Sequence, residues 1–324
     1  MSAETGGWST IESDAGVFTS LIETLGVKNV QFEELYELDD PAALQNLSPV
    51  YGLVFLFKWI GGSSKTDNPQ DGSYDRTAID EENLFFAHQT IQNACGTQAL
   101  LSVLLNQDES SLPTDTAIDL GPQLSDFKAF TTGFPPDLRG EALSNSDLIR
   151  ETHNSFAKSS PFVDETVREA TVTEDVYHFI AYTHHNGTLY ELDGLQPHPI
   201  SHGPCNGFDD FPGKVIPVIR RRIDRYPVGQ IMFNLLAVVR DLRKRAEEMG
   251  DFEGLENERR KRAHWEWENT LRRHNFVGFI GEMLKGVVDQ KVKTGEYEKW
   301  VDEAKAKSKS RYEARSKKGQ SMED

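Results

Sequence analysis

The chain has 324 residues, 37% of them hydrophobic and 10% aromatic, which predicts one large globular domain with an appendage, or two domains. Its net charge of −17 is uneven: residues 1–242 hold 15 Lys and Arg against 35 Asp and Glu, a balance of −20, whereas residues 243–324 hold 20 against 17, a balance of +3. The acidic part disfavours nucleic acid and favours a basic partner; no secretory leader or bilayer span is expected, and two cysteines leave no disulfide scaffold or Cys-rich zinc site, so the expected setting is a reducing cytoplasm or nucleus.

In chain order, Ser13 or Asp14 can cap a first helix that buries Val17, Phe18, Leu21, Ile22 and Leu25 at three- and four-residue spacing, with Gly26 as its stop. Residues 51–59 are short, apolar and aromatic, a buried strand. Residues 61–82 are rich in Gly, Ser, Asp, Asn and Pro and predict a surface loop. Cys95 begins a strong helix through Ala99, Leu100, Val103, Leu104 and Leu105, and a loop follows at 107–116. Residues 124–130 and 144–156 are helical in pattern, and 157–175 lack periodicity. Strands at 176–183 and 188–192 flank His184-His185-Asn186-Gly187, an Asn-Gly hairpin signal. Residues 231–239 predict a last core strand. Beyond 242 proline vanishes, charge dominates, and Leu271, Phe276, Phe279, Ile280, Met283, Leu284 and Val287 form an apolar helical stripe.

Cys95 carries the chemical signal. A lone intracellular cysteine is ordinarily a small buried hydrophobe. This one opens a helix, where unpaired N–H groups and the helix dipole favour a thiolate. Ala94 and Gly96 leave room for a substrate backbone, and Gln89, six residues earlier, can supply an oxyanion donor. With the hairpin turn centred near 185–186, His178 faces Asp193 across two strands; a slip of two positions keeps them diagonal neighbours on one face. The carboxylate then orients the imidazole, whose other nitrogen takes the thiol proton. A buried structural His–Asp pair is the alternative. His184 and His185 fall in the predicted turn and are expected to be solvated. His153 reads as a core or loop contact, and His88 as a cleft residue without an orienting group. His198, His202 and Cys205 with Asp193 lack fixed metal-ligand geometry, so no metal or cofactor is expected. Leu101 stands where a cysteine phosphatase needs arginine, and no phosphate-binding Gly-Lys-Ser/Thr loop occurs.

Assembled, the pattern resembles the ubiquitin C-terminal hydrolase family of cysteine peptidases. The resemblance rests on Trp8, Ile11-Glu12-Ser13-Asp14, residues 52–59, Phe85-Phe86-Ala87-His88-Gln89, Asn93-Ala94-Cys95-Gly96-Thr97-Gln98, His178-Phe179 and Tyr190-Glu191-Leu192-Asp193-Gly194, within residues 7–242. It implies an α+β, three-layer α–β–α papain-like catalytic domain over 1–242 with a central antiparallel sheet and a knotted backbone. It implies Cys95 as nucleophile, His178 as base then acid, Asp193 as its orienter, and Gln89 with the Cys95 N–H as oxyanion hole. Ser13, Asp14, Asn93, Gly96, Asn154 and Phe179 are expected to line the substrate channel, and 152–176 to cross the active site. Asn269-Thr270-Leu271-Arg272-Arg273-His274-Asn275-Phe276 and the helices after it resemble the α-helical C-terminal domain, 243–324, of the long proteasome-associated member. That likeness implies ubiquitin conjugates as substrate and a proteasomal ubiquitin receptor as partner, with a helical subunit of a chromatin-remodelling complex as a second possibility. A latent ubiquitin-binding adaptor and a general papain-like protease are the competing functions.

Overall fold

The computed structural model describes residues 7–36, 38, 41–58, 68–108, 112, 117–157, 177–226, 233–274 and 276–307. The described residues through Arg273 form one compact unit, and those from His274 onward a second.

The first unit runs α1 (Ala15–Thr24), β1 (Val30–Glu34), α2 (Pro41–Gln45), β2 (Val50–Lys58), β3 (Ser73–Tyr74), α3 (Ala78–Glu81), α4 (Cys95–Leu104), α5 (Gly121–Thr131), α6 (Pro136–Ser144), α7 (Asp147–Asn154), β4 (Tyr177–His185), β5 (Thr188–Leu192), β6 (Ile200–Pro204), α8 (Phe211–Ile223), β7 (Phe233–Arg240), α9 (Leu242–Met249) and α10 (Phe252–Arg273). The seven strands make one antiparallel sheet in the order β1-β7-β2-β4-β5-β6-β3. Side chains alternate across it, as strand geometry requires. From β2, Val54 enters a core with Phe18, Leu21, Leu100 and Leu104 of α1 and α4. Leu53 and Phe55 enter a second core with Phe211, Val215 and Ile219 of α8. Helices therefore cover both faces, giving the three α–β–α layers of an α+β papain-like fold.

Local chemistry explains the elements. Asp14, not Ser13, caps α1, its Oδ1 accepting from the Val17 N–H at 2.9 Å. The predicted loop at 61–82 carries two short elements, β3 and α3, on its described part; residues 59–67 lie outside the described set. The segments 158–176 and 227–232, on which the crossover loop and the path of the expected knot depend, also lie outside it.

Composition placed a boundary after residue 242, but the compact unit continues to Arg273. The reason lies on α10. Trp265 packs against the α1–α4 core, and the buried Asn269 amide donates to the Gly16 carbonyl (3.1 Å) and the Ser20 hydroxyl (2.9 Å) of α1. Arg272 adds ion pairs to Glu12 and Asp14, both at 3.0 Å, and Arg262 one to Glu23 at 2.8 Å. Charge that reads as a solvated appendage is thus the polar seam of a packed helix. The second unit contains α11 (Val277–Lys293) and a helix over 297–307. On α11, Phe279, Ile280, Met283 and Leu284 are 53–63% exposed.

Candidate active site

The nucleophile candidate is set by α4. A single turn of 3₁₀ helix, Gln92–Ala94, leads into Cys95, and no side chain caps the helix start at Ala94. The first-turn N–H groups and the positive end of the helix dipole are therefore available at the thiol. Residues Gly96 to Leu104 are buried while Cys95 remains partly accessible. Cys205 is fully buried in the α8 core, and burial, reinforced by Asp210, pushes its thiol up to about 11. Of the two cysteines, Cys95 alone is accessible, and it stands at a helix start.

His178 and Asp193 come together by a route the hairpin register does not supply. The turn centres on Asn186-Gly187, both in the left-handed region (φ 45° and 80°), so His185 pairs with Thr188 and Ala181 with Leu192. Two consecutive positive-φ residues are what a type I′ turn demands, and Asn-Gly meets that demand. The register is thus two positions from one that sets His178 opposite Asp193. Pairing of β4 with β5 stops at Ala181–Leu192, while β4 continues alone along β2 to Lys58–Tyr177. His178 and Asp193 lie just beyond the split, on the same face. His178 Nε2 donates to Asp193 Oδ1 at 2.7 Å, and Oδ1 also accepts from the Leu195 N–H at 2.9 Å. The same register places His184 and His185 inside the strand, 4% exposed each, and not in a solvated turn.

The Cys95 thiol is also near enough to the His178 ring to favour its charged form. Burial disfavours the imidazolium, yet the Asp193 and Cys95 partners outweigh it and raise the ring to about 9. Cys95 and Gln89 line one small cleft with Phe86, Gln98, Phe179, Leu192 and Gly194. Cys95, His178, Asp193 and Gln89 are therefore adjacent, although they come from four separate segments.

The six residues expected to line the substrate channel divide. Phe179 packs on Phe18, ring centroids 5.8 Å apart, and its ring covers Gly96. The others largely hold the N-terminal segment in place. Asn93 donates to the Trp8 carbonyl (2.9 Å), and Asn154 takes the Ser9 N–H (2.9 Å) while donating to the Gly7 carbonyl (2.7 Å). Asp14 divides its oxygens between the helix cap and Arg272, and the Ser13 carbonyl accepts from Asn234 at 3.0 Å. His153 is wholly buried and bridges Thr97 Oγ1 on α4 to the Ser9 carbonyl, both at 2.7 Å. His88 does have a carboxylate partner, Asp137, at 2.5 Å.

Sequence reasoning missed a buried pair behind the imidazole. Arg222 of α8 binds Glu191 of β5 at 2.5 Å and lies 4.4 Å over the Phe57 ring, which is set nearly perpendicular to His178 at a centroid distance of 5.7 Å. Burial works against the Glu191 carboxylate, but Arg222 and His202 hold it down at about 2. The spacing from Glu191 to Asp193, two residues on one strand face, was the available signal; the arginine had none. Among the described residues no three His, Cys, Asp or Glu side chains are grouped to hold a metal ion: His202 contacts Glu191, His198 lies against Tyr74, and Cys205 is in the core. No described helix is long and apolar enough to cross a membrane.

Residues 8–224 match the profile described as ubiquitin carboxyl-terminal hydrolase, family 1, and residues 252–292 a second profile described as ubiquitin carboxyl-terminal hydrolases. The chain is 49% identical over 306 residues to ubiquitin carboxyl-terminal hydrolase 2 of Schizosaccharomyces pombe, covering 93% of this chain and 97% of that protein. It is 37% identical to ubiquitin carboxyl-terminal hydrolase ubh-4 of Caenorhabditis elegans, covering 94% and 95%. The crystal structure of Trichinella spiralis UCH37 bound to ubiquitin vinyl methyl ester superposes with a TM-score of 0.61 at 32% identity, covering 82% of this chain and 99% of that one. A profile spanning more than half the chain, together with relatives matched over nearly their full length, shows that the chain belongs to family 1 of the ubiquitin carboxyl-terminal hydrolases, which are cysteine peptidases.

Proposed function

We propose that the protein cleaves the bond after the C-terminal glycine of ubiquitin through a thioester intermediate. Before attack the Cys95 proton already resides on the nitrogen of His178 not engaged by Asp193, so the pair stands as thiolate and imidazolium, and the sulfur attacks the glycine carbonyl. Charge builds on the carbonyl oxygen, where Gln89 and the Cys95 N–H receive it. The imidazolium then protonates the departing amine, leaving an acyl-enzyme. A water molecule, deprotonated by His178, hydrolyses the thioester and returns the sulfur with its proton. The observation that carries this reading is the His178–Asp193 hydrogen bond beside a partly accessible Cys95 at the uncapped start of a buried helix, its thiol near enough to favour the charged ring.

Substrate charge agrees with it. The balance of −20 over residues 1–242 attracts the basic tail of ubiquitin, and relatives of the same fold were solved bound to ubiquitin vinyl methyl ester. The segment 152–176 limits the size of the leaving group. The apolar face of α11 serves recruitment, docking a helical domain of a proteasomal ubiquitin receptor. A helical subunit of a chromatin-remodelling complex is the second candidate for the same face. The protein acts in the reducing cytoplasm and nucleus.

The test is chemical. A ubiquitin carrying a C-terminal electrophile labels Cys95, and Cys95→Ala abolishes hydrolysis while ubiquitin binding survives. Labelling at Cys205 defeats the assignment. Absence of turnover even with a receptor domain added supports a latent ubiquitin-binding adaptor instead.

A further inference from the structure

The oxyanion donor sits at the end of a segment that no sheet supports. Residues 84–89 have no strand or helix assignment, yet Leu84, Phe85, Phe86 and Ala87 are at most 3% exposed. Buried backbone groups need partners, and here side chains provide several of them. Arg139 donates to the Leu84 carbonyl at 2.9 Å. Asn106, just past α4, accepts from the Phe85 N–H at 2.7 Å and donates to its carbonyl at 2.9 Å. Gln98, one turn along α4 from Cys95, donates through Nε2 to the Ala87 carbonyl at 2.6 Å. The His88 N–H then reaches the Pro136 carbonyl (2.9 Å), and the Gln89 N–H the Gly194 carbonyl (2.8 Å).

The space around this last stretch is filled. A Cβ on Gly194 would stand 2.2 Å from Gln98 Nε2 and 2.9 Å from the Gln89 nitrogen, and a Cβ on Gly140 would stand 1.9 Å from the His88 oxygen. Residues 87–89 are therefore gripped by Gln98, the chain at Gly194, and α6. Of these contacts, Gln98 alone belongs to the helix that carries the nucleophile.

We infer that Gln98 is a positioning residue, which fixes Gln89 relative to the Cys95 sulfur by tying the Ala87 carbonyl to the nucleophile helix. This rests on the proposed role of Gln89 as oxyanion donor. Such donors act only when aimed to within a fraction of an ångström, and displacement of a reacting group by about 1 Å can cost ~10²-fold in rate. The Gln98 bond joins the two parts whose separation decides that aim.

The experiment uses the full chain and Gln98→Met, which keeps the side chain's length and removes its donor. Expected is a fall in kcat of about tenfold with KM nearly unchanged, and a comparable loss in affinity for ubiquitin C-terminal aldehyde, whose adduct oxygen occupies the oxyanion position. The pH profile of Cys95 alkylation by iodoacetamide stays at the wild-type position, because the thiol–imidazole pair is untouched. Gln89→Ala alone falls by about 10²–10³-fold, and adding Gln98→Met to it lowers kcat no further, since the group being positioned is gone. A Gln98→Met enzyme with wild-type kcat, or a double variant whose loss is the product of the two single losses, overturns the inference. If Gln98→Met does not fold, Gln98→Glu, which sets a carboxyl group against the same carbonyl, enters the same comparison. A wild-type protein that turns over no ubiquitin substrate, or a Gln89→Ala variant at full rate, defeats the underlying mechanism and the role of Gln98 with it, whereas a damaged Gln89→Ala beside an undamaged Gln98→Met defeats the role of Gln98 alone.

Discussion

Asp193→Asn removes a charge while nearly preserving shape. His178 stands at about 9 against an ordinary 6.5, a preference for the imidazolium of about 3 kcal/mol at ~1.4 kcal/mol per unit. Burial opposes that preference, and the Asp193 hydrogen bond is the largest contribution sustaining it, ahead of the Cys95 thiol. In the wild type the ring keeps its proton until pH rises through about 9, so hydrolysis should decline only above that value. The same shift stabilises the fold fully below 6.5, and that stabilisation disappears as pH climbs through about 9. With asparagine, the oxygen can still meet Nε2, but the amide nitrogen occupies the place of Oδ2, which is buried without a hydrogen-bond partner among the described residues. That costs about 1–3 kcal/mol of stability. If the amide flips, it opposes the wrong ring tautomer. The alkaline limb of kcat/KM should therefore move down by more than about one pH unit, and kcat near neutrality should fall by about 10²–10³. That loss is smaller than the ~10⁴ of a serine triad, because a thiol is intrinsically more nucleophilic. The assay is hydrolysis of ubiquitin bearing a fluorogenic C-terminal amide across the neutral-to-alkaline range, with thermal melting as a control for folding. An Asp193→Asn enzyme whose limb stays near the wild-type position, at close to wild-type kcat, would refute the reasoning.

Other perturbations probe the frame. Asn269→Ala removes both hydrogen bonds of the buried amide to α1 and should cost about 2 kcal/mol, read as a lower urea midpoint for the first unit; an unchanged midpoint means α10 is not part of that unit's stability. His184 is buried against Phe208 and Phe211, and neither ring nitrogen has a partner among the described residues. Burial, with His185 beside it, drops it to about 4. Its neutral form stabilises the fold above 6.5, and this contribution, about 3 kcal/mol, is lost as pH falls from 6.5 through about 4. His184→Phe should flatten the acid limb of a stability–pH curve, and an unaltered limb argues against it. Cys205→Ala should leave both turnover and labelling by a ubiquitin electrophile in place, measured by adduct mass, because that thiol is enclosed and protonated.

Local chemistry was readable where it was self-contained. The stripe of α1, the apolar run of β2 and the Cys95 helix start all rest on contacts within about ten residues, and the structure places them as patterned. The His178–Asp193 pair was legible as a facing couple, but its register was misjudged because His184 and His185 look polar while the turn needed the positive φ of Asn186 and Gly187. Helix α8 escaped notice because Pro212, Gly213 and Pro217 read as breakers; Pro212 falls in the first turn, where a missing N–H is harmless, and tertiary packing carries Pro217. Arg222 beside Glu191, Gln98 beneath Ala87 and Asn269 on Gly16 join segments 11 to 253 residues apart. Neither period nor propensity encodes such meetings.

The position of β7 between β1 and β2 has a consequence for synthesis. Strand β1 lies at the sheet's edge with β7 as its neighbour, pairing Val30 with Arg240 and Glu34 with Leu236. During translation the first strand must wait, unzipped, until some two hundred further residues have left the ribosome. Nascent chains of this protein therefore carry a sticky, half-finished edge for most of their elongation, the kind of intermediate that chaperones shield.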